Sequence, residues 1–174
     1  MFLQLVVIIA VCVSFLDVVP VFAQSGLDGT QVVRIFVRTH TANEQNADTP
    51  ADIYLGFAGR ELFLDKDEQR GDNAVDLYRF GPNDFGNVTN RADNNPTVGP
   101  RIVRQDVLAH EVYLRMPDTE GNHWVVQHVD VTFAAFQSQE LARYCFFGRA
   151  ILGPQTGFKL PLTRHTSGGA CPGA

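Results

Sequence analysis

Apolar and polar side chains alternate along much of the chain, the period-two pattern of strands with one buried face. Val33, Ile35 and Val37 are apolar while Arg34 and Arg38 are charged, which predicts a first strand over 31–39. Phe36 breaks the alternation and leaves a large apolar side chain on the outer face. The stretch 39–50 is built from Thr, Asn, Asp, Gln and Pro, so it runs over the surface as a loop. Short β-forming segments follow at 51–57 and 61–64, joined through Ala58 and Gly59 as a hairpin. The run DKDEQRGDN at 65–73 reads as a solvated loop. Alternation resumes at 76–80, with Leu77 inward on one side and Tyr78 with Phe80 on the other.

A long Gly, Asn, Asp and Pro segment spans 81–100, with Phe85 and Val88 as its anchors. Beyond it, 101–106 and 110–115 read as two strands, and MPDTEGNH at 116–123 as an acidic turn. The longest strand pattern is 124–133. Its register is ambiguous, because Trp124 and Val126 lie on one phase and Val125 and Val129 on the other. A polar connection over 134–141 has room for a helical turn. Strands over 143–152 and 158–162 close the pattern, separated by GPQTG at 153–157, a strong turn signal. Many short strands with turn signals between them predict an all-β fold, a two-sheet antiparallel β-sandwich of about eight strands.

A chain of 174 residues, 45% of them hydrophobic, holds one domain with a substantial core. The net charge is −5, and the basic residues are scattered. Phosphate binding needs a concentrated basic surface, so nucleic acid is not expected as a partner. Residues 1–23 are almost wholly apolar and end in Val21-Phe22-Ala23, the form of a secretory signal cut before Gln24. A retained anchor formed by residues 2–23 is the rival reading, since about 20 apolar residues span a bilayer. Either way the rest of the chain is exported, secreted or periplasmic. The expected organisation is a signal over 1–23, a flexible lead-in over 24–30, the sandwich over 31–163 and a flexible tail over 164–174. A monomer is the expected oligomeric state.

Cys12 leaves with the signal, so Cys145 and Cys171 remain as a pair that joins in an oxidising compartment. That bridge staples the Gly/Pro-rich tail to a strand, worth about 3 kcal/mol by loop closure. Asn87-Val88-Thr89 is a glycosylation sequon, meaningful at Asn87 only in a eukaryotic secretory pathway.

Several of these segments resemble the PLAT/LH2 (lipoxygenase homology) domain family. ADTPADIYL at 47–55 and GRELFLD at 59–65 match that family's A-G-T-D-A-D-V-Y-L and G-R-E-F-x-L-D. Arg70-Gly71, DLYRFG at 76–81, VYLR at 112–115, and NHW at 122–124 leading into VDV at 129–131 follow in the family's order. The resemblance covers roughly residues 31–135, and several pieces in order are more specific than any one. It implies a C2-like sandwich that binds lipid or membrane surfaces, or a partner protein, sometimes through calcium, without catalysis of its own. The chain departs from the pattern where Glu68 and Gln69 occupy a region in which the family carries Phe.

Calcium takes several hard oxygen ligands from flexible loops. Two loops qualify: 39–50 with Glu44 and Asp48, and 116–122 with Asp118 and Glu120. The resemblance places Asp118 where the family often sets a calcium ligand. The family's second such Asp is replaced by Pro50, while Asp48 stands at the family's Gly, so one carboxylate is displaced by two positions. Asp48, Asp118 and Glu120 are therefore the candidate calcium ligands, and no cofactor is otherwise required. Solvated turns explain the same residues without a metal.

The sole tryptophan, Trp124, reads as a core anchor at the start of the longest strand. Phe57 and Phe85 are the candidate lipid-facing aromatics. Five histidines are scattered, and His123 and His128, five apart on one strand, are expected on opposite faces. H-E-x-x-H, G-x-S-x-G and phosphate-cradling loops are absent from the sequence, so no enzyme activity is expected. A second reading from another class is a protein-interaction scaffold that presents the 81–100 loop, with no lipid or calcium role.

Overall fold

The computed structural model describes residues 27–64, 71–82, 86–117, 122–166 and 169–172. Nine strands occur among them: β1 (Arg34–Thr41), β2 (Ile53–Phe57), β3 (Arg60–Leu64), β4 (Val75–Phe80), β5 (Tyr113–Arg115), β6 (Trp124–Ala134), β7 (Glu140–Leu152), β8 (Lys159–Pro161) and β9 (Thr163–His165). They form two antiparallel sheets, one ordered β4-β1-β6-β7-β9 and the other β3-β2-β5-β8. The two-sheet antiparallel sandwich expected from the alternation is the fold observed.

The inward phase of each strand supplies the core. Ile35 and Val37 from β1, Tyr78 and Phe80 from β4, and Val129, Val131 and Phe133 from β6 are buried. They face Ile53, Leu55 and Phe57 from β2 and Leu62 and Leu64 from β3. Trp124 is fully buried, and its indole Nε1 donates to Thr41 Oγ1 at 3.0 Å. A buried ring thereby keeps its one polar group satisfied.

Two departures from the sequence pattern have local causes. Residues 104–109, partly read as strand, form a short helix, α1 (Arg104–Ala109). Asp106 caps it by accepting the Val103 N–H through Oδ2 at 2.8 Å, and Val107 is the residue it buries. The ambiguous register of β6 is a bulge. Trp124 and Val126 point inward, Gln127 is exposed, and the inward phase resumes at Val129. His128 is thereby carried to the outer face, across from His40, while His123 lies before the strand begins.

Both ends of the sandwich domain are tied in more tightly than its composition suggests. Arg104 N–H and Gln105 N–H donate to the carbonyls of Thr30 and Asp28, and the Arg104 guanidinium pairs with the Asp28 carboxylate. Residues 27–30 thus fold onto α1. β9 continues to His165, and Cys171 is joined to Cys145 with a Cα–Cα distance of 5.9 Å. The described part of the long 81–100 segment is fastened to the sandwich: Val88 enters the main core, and Asn94 is buried, accepts the Phe63 N–H at 2.7 Å and donates to the Thr89 carbonyl at 3.0 Å.

Candidate functional site

Strand direction gathers the connections at two opposite ends. β1, β3, β5 and β7 finish, and β2, β4, β6 and β8 begin, at one end. The described residues of the connections there are 42–52, 71–74, 116–117, 122–123 and 153–158. The other end carries 81–82, 86–103, α1 and the β6–β7 turn.

The 42–52 connection is held by backbone rather than by apolar bulk. Ala42 N–H donates to the Val125 carbonyl at 2.8 Å, and Val125 N–H to the Ala47 carbonyl at 2.9 Å. Ala42, Ala47 and Val125 bury one another in a small separate cluster with Ile151 against it. Asp72 reaches over from the next connection, where its Oδ1 accepts the N–H groups of Ala47 at 2.9 Å and Asp48 at 3.3 Å. Thr49 is buried and accepts the Ala51 N–H at 3.1 Å, closing the turn into β2. His40 Nε2 and Asn73 Oδ1 lie 3.2 Å apart at the same end.

Asp48 is exposed beside Asp72, whereas Asp118 and Glu120 lie outside the described residues. Among the described residues no three His, Cys, Asp or Glu side chains converge as metal ligands. Glu44, from the same loop, is engaged by Arg149, whose Nη2 and Nε donate to it at 2.6 and 3.1 Å. Hydrogen bonds from that guanidinium hold the Glu44 carboxyl below its ordinary range. Glu61 is held low in the same way, chiefly by Arg115 at 2.6 and 2.7 Å, with Tyr113 OH also donating to it at 3.0 Å. Carboxylates kept ionised by surface ion pairs do not donate protons near neutral pH.

Phe57 is not lipid-facing. It is 1% exposed and packs its ring 5.1 Å from that of Phe133, because it ends the inward phase of β2 rather than starting the turn. Phe85 lies outside the described residues. Among the described residues the exposed aromatics are instead Phe136, 72% exposed in the β6–β7 turn, and Phe147, 61% exposed on the outer face of β7. Phe136 hides in a stretch that reads as polar. Phe147 adjoins Phe146, so alternation alone does not say which of the two is outward. Asn87 is exposed and its Nδ2 donates to the Leu77 carbonyl at 2.8 Å.

No family model matches the chain, and no curated protein is similar to it in sequence. Its fold is similar to that of the alpha toxin from Clostridium absonum, at a TM-score of 0.50 and 17% identity, covering 76% of this chain and 32% of the toxin. The alpha-toxin of an avian strain of Clostridium perfringens (TM-score 0.46, 15% identity, 74% of this chain and 33% of that one) is also similar. So is a LOX variant (TM-score 0.45, 16% identity, 76% and 16%). The chain spans about a third or less of the length of each of these proteins. At such identity the likeness is one of fold, a two-sheet antiparallel β-sandwich.

Proposed function

We propose that the chain is an exported, non-catalytic binding module that docks on a lipid surface through its loop tips, with calcium bridging acidic side chains to anionic headgroups. The observation that carries this reading is that β1, β3 and β5 finish, and β2, β4 and β6 begin, at one end of the sandwich. The connections there hold Asp48, Asp52, Asp72, Asp118 and Glu120, besides the Glu44 that Arg149 engages, a carboxylate density that suits a hard cation. A protein of net charge −5 meets an anionic bilayer favourably only through such a bridge. Binding without chemistry agrees with the fold and with carboxylates committed to ion pairs. Export agrees with the Cys145–Cys171 bridge, and no described helix is long and apolar enough to cross a membrane.

Sedimentation with phosphatidylserine vesicles tests the proposal. Calcium brings the protein down with the vesicles, a chelator releases it, and Asp48→Asn or Asp118→Asn weakens the calcium response. Protein that stays in the supernatant under both conditions overturns the lipid reading. A second reading, a protein-interaction scaffold, is favoured by Asn94, which fixes the 81–100 segment as a firm platform. Replacing the exposed tip at 90–93 with glycines abolishes partner capture if that reading holds, and leaves it unchanged if not.

A further inference from the structure

The irregularity in β6 has counterparts on both neighbouring strands. Gln127 stands unmatched between the pairs His40–His128 and Thr41–Val126 on the β1 side. On the β7 side, two residues, Gly148 and Arg149, fall between the partners of Val126 and His128. Gly148 has a φ of +136°, which a residue with a side chain rarely adopts, so β7 bends sharply there. Bends at one level open a groove of about 380 Å³ on the outer face.

Its lining combines one aromatic surface with polar side chains of both hydrogen-bonding senses. Phe147 is 61% exposed, and the His128 ring supports it edge-on at 6.4 Å. Asn43 and Gln127 are exposed, and neither side-chain amide has a hydrogen-bond partner among the described residues. Glu44 and Arg149 form the remaining wall as a bidentate pair.

We propose that this groove is a saccharide-binding site that takes a neutral hexopyranose unit, either free or as the headgroup of a glycolipid. The polarised C–H face of a pyranose ring meets the electron-rich face of Phe147. Each hydroxyl both donates and accepts, which the two free amides match with a carbonyl and an NH₂ apiece. The Glu44 carboxylate adds acceptors and the Arg149 guanidinium donors, and their mutual neutralisation disfavours an ionic ligand. Four polar side chains disfavour a purely apolar one. The volume lies at the small end of the range for ligand sites, as one or two sugar rings require. The site needs no calcium and none of Asp48, Asp118 and Glu120, although Asn43 and Glu44 belong to the 42–52 connection, so it is tested apart from the lipid reading.

Titration of the protein with lactose, cellobiose, maltose and N,N′-diacetylchitobiose, followed by amide and aromatic NMR, tests it directly. At least one disaccharide, at about 20 mM or below, shifts the side-chain amides of Asn43 and Gln127 and the ring protons of Phe147. Phe147→Ala weakens that binding about tenfold or more, while Phe136→Ala, at the opposite end, leaves it unchanged. A second arm compares phosphatidylcholine vesicles with and without lactosylceramide, in the presence of a chelator. Retention on the glycolipid vesicles alone also supports the site and identifies the headgroup as the source. Silence in both arms, or shifts that survive Phe147→Ala, overturns the proposal. Equal retention on plain vesicles, with silence toward the free sugars, overturns it as well.

Discussion

His40 and His128 stand directly opposite one another across the β1–β6 ladder, on the outer face of the larger sheet. His128 is 2% exposed and its Nε2 has no hydrogen-bond partner among the described residues. Burial pushes the imidazole below its ordinary value. Asp130 beside it acts the other way, and Arg38 and His40 add to the depression. The native state therefore holds this ring neutral, whereas the unfolded chain takes up a proton near pH 6.5. Full stability is present above that value and is lost as pH falls through it towards the depressed native value, where the loss levels off. Denaturant midpoints measured between about pH 7 and pH 5 decline, and His128→Gln flattens the decline. An unchanged slope in that variant rules this histidine out as the cause.

Phe57 and Phe136 behave as opposites. Truncating Phe57 to alanine removes a buried ring in contact with Phe133 and costs about 3–5 kcal/mol. The same change at Phe136 alters stability by no more than about 0.5 kcal/mol. Calcium-dependent vesicle binding also persists in the Phe136 variant, because that ring lies at the end away from the acidic tips. Thermal unfolding and sedimentation of the two variants check both statements.

Cys171→Ser opens a bridge between residues 26 apart in sequence and destabilises the protein by about 3 kcal/mol. The effect is read as a lowered denaturant midpoint, and a reducing agent reproduces it in the parent protein but not in the variant.

Asp72→Ala removes the carboxylate that accepts the N–H groups of Ala47 and Asp48. The cost is about 1 kcal/mol. Hydrogen exchange at those two amides accelerates while the β1–β6 amides stay protected. Equal acceleration in both places would mean that Asp72 supports the whole sheet rather than the loop.

Strands β1 to β4 were legible as strands because their alternation is local, and Ile35 and Val37 told where the core lies. In β4 the inward side was set on Leu77, which is exposed, because apolar residues occupy both phases there and the larger Tyr78 and Phe80 fill the core. Helix α1 was not, since six residues give less than two turns of periodicity and its cap acts from Asp106, inside the helix. Phe57 was misplaced because it borders the Ala58-Gly59 turn, and a pattern of types does not reveal whether the last strand residue still faces inward. The groove around Phe147 escaped for a deeper reason. Asn43, Gln127 and Arg149 come from three strands or their edges, and only coincident bends in β6 and β7 bring them together.

The pairing of Asp28 with Arg104 fixes the direction from which the polypeptide enters the domain. Entry lies beside α1, at the pole away from the acidic tips. A protein still tethered by residues 2–23 would therefore hold those tips outward from its own bilayer, facing whatever membrane or surface lies opposite. A released one would be free to land on either.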